Sequence, residues 1–338
     1  MTLGTSPTVI AVACIAGLGS LFFAVAFLVD WIRSWRHVKA YWAYGLGAAL
    51  VTLAFVVAGA VAGILSAAQL LAESAPRGWE SAPGSAGEDV LAVLLLGVLL
   101  LVLGLVVLFI ATTMLAGVTM LGMHYADVLG LPGFALRRRR KTTPLAAAPA
   151  ASDRAIALPV ATADTPVLAP LPAGGVMAAA CPRPRCDYIL STLGVAAAAV
   201  GYSAALFRLV PPRLSEALSG LSGNPEASAA LTLQVLVTVL AAAFSEEIFY
   251  RLGVQNFVAR YLGCRGAKYW IPIALTSLLW TLGHAGVLEP AWLKLAQIFP
   301  IGLVLGWLYR RHGVESCMLA HALFNIVLVP LTPSLIGV

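Results

Sequence analysis

Within otherwise apolar stretches near the end of the chain stand six side chains that a bilayer disfavours: Glu246, Glu247, Arg251, His284, His321 and Asn325. Ionisable groups inside a membrane span are costly and usually mark function. In the segment SEEIFYR, Glu247 and Arg251 are four residues apart, so they share one helix face and are spaced to form an ion pair. Glu246 is turned from Glu247 by roughly 100° around a helix and is free to point elsewhere. His321 and Asn325 in HALFN are again four apart, which makes a second polar face. His284 in WTLGHAG stands alone on its helix behind Gly283, a residue that permits close approach of a neighbour. A carboxylate, two imidazoles and a carboxamide suit general-base activation of water with a pair of donors for an oxyanion. In that chemistry Glu246 and His284 hold and deprotonate the water, while His321 and Asn325 donate to the tetrahedral intermediate. No HExxH and no GxSxG at a helix start occurs, so zincin and serine-hydrolase chemistry lack support.

Each motif also has a bland explanation. The two glutamates and Arg251 would serve as a helix end at the lipid interface, and His284 as a packing residue. His321 and Asn325 would serve as interhelical hydrogen bonds worth about 0.6 kcal/mol each. What favours one site is a common depth. At about 1.5 Å per residue, Glu246 lies roughly 21 Å from Arg260, His284 roughly 24 Å from Lys268 and Asn325 roughly 21 Å from Arg311, with His321 about a turn shallower.

The elements that must hold these groups follow from composition. Of 338 residues, 60% are hydrophobic and 11% charged, against about 25% charged in an average soluble domain. Soluble globular, disordered and disulfide-rich secreted classes are excluded. The expected fold is all-α, a polytopic helical membrane protein with about eight transmembrane helices. Apolar runs of spanning length occur near 8–29, 41–71, 90–122, 187–208, 229–259, 270–288, 295–309 and 313–331. The 90–136 stretch has no charged turn and reads as one long helix with an amphipathic tail. Met1 to Pro7 contains no Lys or Arg, so the first run is expected to remain a membrane helix and not be cleaved as a signal peptide.

Basic connections alternate with neutral or acidic ones. Arg33, Arg36 and Lys39 follow the first span, Arg137 to Lys141 the third, Arg260, Arg265 and Lys268 the fifth, and Arg310 and Arg311 the seventh. Eight spans with both termini outside and the basic loops cytoplasmic satisfy this pattern. Residues 137–185 open with RRRRK and continue through Ala and Pro repeats, a composition that buries no core and is expected to act as a flexible cytoplasmic linker at the lipid surface. The expected division is a three-helix membrane part (1–136), this linker (137–185) and a five-helix core (186–338). The five cysteines, Cys14, Cys181, Cys186, Cys264 and Cys317, lack the companions a metal site needs. The net charge of +6 concerns orientation in a bilayer and not nucleic acid, since no basic stretch is interleaved with aromatics.

The ordered set EExxxR (Glu246, Glu247, Arg251), aromatic-xxx-His (Trp280, His284) and HxxxN (His321, Asn325), with GLVLGWLYRRHGVESCMLAHALFN around the last motif, resembles the CPBP family. These are the CAAX prenyl protease and bacteriocin-processing intramembrane endopeptidases, also called the type II CAAX or ABI family. The resemblance covers about residues 229–331. It implies that Glu246 and His284 activate water, that His321 and Asn325 form the oxyanion hole, and that Glu247, Arg251 and Trp280 support the site. Trp280 stands where the family usually has Phe, a change expected to narrow the pocket. The family has also been treated as metalloproteases. If zinc is present, Glu246, His284 and His321 are its ligands; a metal-free glutamate mechanism is favoured, with no cofactor.

Prenylated CAAX proteins are the substrates of the eukaryotic branch. The Ala-rich, short-looped composition here reads as bacterial, pointing to a plasma-membrane protein that acts on a membrane-anchored or signal-bearing peptide. Membrane lipids and that peptide or protein substrate are the expected partners, and the sequence leaves the oligomeric state open. The alternative is a non-catalytic membrane protein: an immunity factor, a scaffold or a carrier. A carrier would often show inverted repeats with broken helices in both halves, and 1–136 and 187–331 show no such pairing.

Overall fold

The computed structural model describes residues 7–74, 86–134, 185–214 and 229–336. The expected linker at 137–185 falls almost wholly outside the described residues, as do most of the acidic connection after the second run and the side chains of Cys181 and Cys186. The described chain is helical throughout, apart from one two-residue ribbon.

Three long helices come first: α1 (Pro7–Val38), α2 (Trp42–Ser74) and α3 (Ala86–Leu129). The third is one uninterrupted helix, as the absence of a charged turn predicts. α4 (Arg185–Leu209) follows, then α5 (Ala229–Glu246). α5 passes without a break into a π-helical segment, Glu247–Gln255, and on into the short α6 (Asn256–Tyr261). The chain ends with α7 (Trp270–Leu282), α8 (Ala291–His312) and α9 (Val314–Ile336). Strand β1 (Arg213–Leu214) after α4 pairs antiparallel with β2 (Leu288–Glu289) before α8.

These elements read as a membrane body because their exteriors are apolar and their interiors are not. Leu18, Phe22, Phe109 and Leu190 are each more than 60% exposed, a surface that only lipid would cover. Gln255, Asn256, Thr276, Ser277 and Gln297 are by contrast fully or almost fully buried. Among the described residues five stretches are long and apolar enough to cross a membrane. They are 17–63, which holds most of α1 and α2, then 104–129 in α3, 187–209 in α4, α8, and 314–331 in α9. The protein is therefore an all-α, polytopic, integral membrane protein. α7, at 13 residues, is too short to span alone and is positioned by packing.

The π-helical segment is the hub. α3, α7, α8 and α9 all pack against it, while α2 lies along α3 and α5, and α9 along α4 and α5. Close approach of backbones makes this possible at two reciprocal glycines. A Cβ on Gly122 of α3 would stand 2.6 Å from the Leu252 carbonyl oxygen, and one on Gly253 would stand 2.7 Å from Val118 Cγ1. Around that contact one apolar cluster joins Phe27 of α1 and Val118, Leu121 and Tyr125 of α3 to Ile248 and Val254 of the π segment. Asn256 also donates to the Gly122 carbonyl at 3.5 Å. The first three helices are thus seated directly on the element that carries the motif.

Gly122→Val forces that backbone contact apart, so it is expected to destabilise the protein by about 1–3 kcal/mol as overpacked substitutions do. Gly47→Ala, where a Cβ meets nothing within 4 Å, is expected to leave stability unchanged. Thermal unfolding in detergent compares the two.

Candidate active site

A buried charge cluster holds the inner wall of the site. Glu247 is 1% exposed and Arg251 fully buried. The Arg251 Nε donates to Glu247 Oε2 at 3.3 Å, the ion pair that the spacing predicts, although the local helix is π and not α. The other carboxylate oxygen, Oε1, accepts from His321 Nδ1 of α9 at 3.0 Å. Arg251 Nη1 donates to Ser277 Oγ of α7 at 3.3 Å, and the guanidinium lies 5.3 Å from the centroid of the Trp280 ring, a cation–π contact. Four elements, namely the π segment, α7, α9 and through Trp280 the end of α5, therefore meet on one ion pair.

Glu246, the last residue of α5, faces a different space. Its Oε2 accepts the Trp280 indole N–H at 2.7 Å, and its Oε1 stands 3.9 Å from His284 Nε2. The two side chains are about a quarter exposed, 25% and 26%, so this part of the site opens outward where Glu247 is closed off. His284 makes its other bond through Nδ1 to the Trp280 carbonyl at 2.9 Å. A carbonyl oxygen only accepts, so Nδ1 carries the proton, and the neutral ring presents a lone pair at Nε2. A carboxylate oxygen and an imidazole lone pair then face each other across a gap too long for a hydrogen bond. Two acceptors at that separation match the two donors of one water molecule.

Trp280 does more than shape the pocket, which is all that the sequence suggests for it. Its N–H orients Glu246, its carbonyl fixes the His284 tautomer, and its ring stands edge-on to His284 and His321 at 5.2 and 5.5 Å between centroids. Gly302 of α8 lets this large ring fit: a Cβ there would meet Trp280 Cε3 at 3.1 Å and Ser277 Cβ at 3.0 Å.

The structure brings Glu246, Glu247, Arg251, Trp280, His284 and His321 together. Asn325 lies a turn beyond His321 on α9 and donates through Nδ2 to the Val239 carbonyl of α5 at 3.3 Å; it makes no direct hydrogen bond to the others. Among the described residues no three His, Cys, Asp or Glu side chains are grouped to hold a metal ion. As placed, Glu246, His284 and His321 are not grouped closely enough to hold one ion, and no step below is routed through a metal. Sequence reasoning missed Ser277, which extends the Arg251 network, and Lys294 of α8, which interacts electrostatically with Glu246 and His284. A lysine ahead of an apolar run looks like a membrane flank, so no local signal distinguishes it.

Removing one partner of a buried ion pair leaves an uncompensated charge and costs about 3–5 kcal/mol. Arg251→Met is expected to destabilise by that order. The double variant Arg251→Met, Glu247→Gln is expected to recover part of the loss, measured by thermal unfolding.

Comparison with known proteins agrees with this geometry. Residues 228–327 match the family described as type II CAAX prenyl endopeptidase Rce1-like. A sporulation-killing factor biosynthesis protein, SkfC, of Bacillus subtilis strain 168 is 26% identical over 146 residues, 40% of this chain and 27% of that protein. The matched region is thus about a quarter of that relative's length. No solved structure matches the chain. The matched segment contains all seven residues of the motif set, so over residues 228–327 the chain is similar to that family.

Proposed function

We propose that the chain is an intramembrane endopeptidase that hydrolyses a peptide bond of a membrane-associated protein or peptide by direct attack of water. The observation that carries this reading is the pair of acceptors, Glu246 Oε1 and His284 Nε2, held 3.9 Å apart in a partly open space on a segment whose family acts on peptide bonds. A water donating one hydrogen to each has its oxygen lone pairs turned toward a bound carbonyl. Glu246 takes the proton as that oxygen bonds to the carbonyl carbon. The carbonyl π electrons move to its oxygen, and the oxyanion needs donors.

His321 supplies one through Nε2 when it carries both ring protons. Asn325 has two N–H groups on Nδ2 and gives one to Val239, leaving the second to donate. When the tetrahedral intermediate collapses, the proton held on Glu246 passes to the leaving amine. Trp280 keeps the base in place throughout. The buried Glu247–Arg251 pair fixes His321 and so the position of its outer nitrogen.

The basic connections favour an orientation with the Arg260–Lys268 and Arg310–Arg311 turns in the cytoplasm, in a bacterial plasma membrane. Residues 1–136, 137–185 and 186–338 are read as an N-terminal helical part, a linker and the protease core, with the first helices docking lipid or substrate.

Glu246→Gln and His284→Ala are expected to abolish cleavage by purified protein that still unfolds cooperatively; retained cleavage by Glu246→Gln would refute the mechanism. Comparative peptidomics of cells carrying wild type or Glu246→Gln supplies the substrate for this assay. Trp280→Phe removes one hydrogen bond to a charged group, worth about 1.5–3 kcal/mol, and is expected to lower kcat/KM by about 10- to 100-fold.

Metal dependence is checked separately. Exhaustive chelation is expected to leave activity unchanged, and the purified protein to lack stoichiometric zinc by elemental analysis. Tightly bound zinc whose removal abolishes cleavage would replace this mechanism with the metal-bound one.

A further inference from the structure

Lys294 is a charged side chain inside the membrane body that the mechanism above does not use. It occupies the first turns of α8, half-buried, and its Nζ donates to Gln297 Oε1 at 3.0 Å. Gln297 in turn donates through Nε2 to Ser203 Oγ of α4 at 2.9 Å, and both Gln297 and Ser203 are fully buried. The ammonium is therefore tied to Gln297 of its own helix, whose amide is in turn anchored on α4. Antiparallel packing sets its level. Gly302 of α8 lies against Trp280 and Gly306 against Ile273, so moving past the end of α7 to His284 corresponds to moving back along α8 toward Lys294.

The charges around Glu246 show what this cation faces. On its own helix stand Tyr250 and the Glu247–Arg251 pair; the turn after α7 contributes His284, α8 contributes Lys294, and α9 contributes His321, whose Nδ1 is bonded to Glu247. Ser20 of α1 reaches the Tyr250 hydroxyl and carries no charge. Arg251 is engaged by Glu247, Ser277 and the Trp280 ring, with its Nη2 left without a hydrogen-bond partner among the described residues. Once that pair is set aside, Glu246 is the remaining acid and Lys294 the remaining cation among these groups. A carboxylate out of bulk water needs such a partner.

We propose that Lys294 is a positioning residue that acts through Glu246: a fixed counter-ion, held by Gln297 and Ser203, that keeps the Glu246 carboxylate stable and aligned toward the His284 gap. The kinetic side of this inference rests on the reading of Glu246 as the base; the structural side does not.

The test is a double-mutant cycle with two readouts on the full chain. In the wild-type background Lys294→Met is expected to lower the melting temperature by about 3 °C or more, and in the Glu246→Gln background by less than about 1 °C, because the charge it balances is gone. With the substrate peptide, Lys294→Met is expected to lower kcat about 10-fold with KM within about twofold, and Lys294→Arg to keep most of the activity.

Equal melting shifts in the two backgrounds would overturn the proposal, as would a loss expressed in KM alone. Should Lys294→Met fail to fold, recovery in the double variant supports the proposal and failure of both variants overturns it. If the wild-type protein cleaves nothing, the proteolytic reading fails while the melting cycle still decides the role of Lys294.

Discussion

Everything in the C-terminal part is arranged around one constraint: a carboxylate and a guanidinium have been taken out of water together. Glu247 and Arg251 are almost completely buried in a protein whose surroundings are hydrocarbon. Each would be costly alone, and their attraction offsets that cost only when the remaining lone pairs and N–H groups also find partners. His321, Ser277 and the face of Trp280 supply most of those partners, and among the described residues only Arg251 Nη2 of the pair is left without one. They come from α9 and α7, so satisfying the pair fixes where those helices stand relative to the π segment. His284 follows one turn after Trp280 on the chain, and its place is then set as well. The site is thereby assembled by the demands of a charge pair that itself faces no open space.

The π-helical segment makes this compatible with the rest of the fold. Its widened turn carries seven buried residues of nine, among them groups that point toward α3, α7, α8 and α9 alike. An ordinary helix with one apolar stripe would not serve so many neighbours at once. π turns of this kind recur at functional sites. Close approach of α3 at Gly122 and Gly253 closes the side away from the site. The N-terminal helices lie outside the matched family segment, yet they form a wall of the element that bears its first motif.

Much of this was legible in the sequence, and the reasons for the remainder are physical. Charges inside apolar runs are rare enough to be noticed, so Glu246, Glu247, Arg251, His284 and His321 stand out by type and by depth. The four-residue spacing of Glu247 and Arg251 gave the ion pair because both helix types bring such residues near one face. The π geometry itself leaves no period that nine residues would reveal. Trp280 read as bulk, since an indole N–H announces no partner until the helix carrying Glu246 is seen beside it. Asn325 looked paired with His321 by spacing, but its amide is drawn to the Val239 carbonyl of a helix that sequence order does not place. Lys294 was hidden by position: at the edge of an apolar run it resembles a membrane flank, and only packing turns it inward.

The two adjacent glutamates show how one fold gives the same residue type two different roles. A step of one residue around the helix separates a carboxylate that is 1% exposed and held by Arg251 and His321 from one that is 25% exposed and held by a single indole N–H. Glu247 has its charge matched on two sides, so taking a proton would cost it both partners. Glu246 retains an oxygen that faces only another acceptor, and such an oxygen gains by receiving a proton-bearing molecule between them. The inner glutamate is fitted to hold the structure still, and the outer one, in the proposed mechanism, to exchange protons. The two residues are chemically identical, so what separates them is the rotation of the helix, which turns Glu247 inward to Arg251 and His321 and leaves Glu246 at the opening.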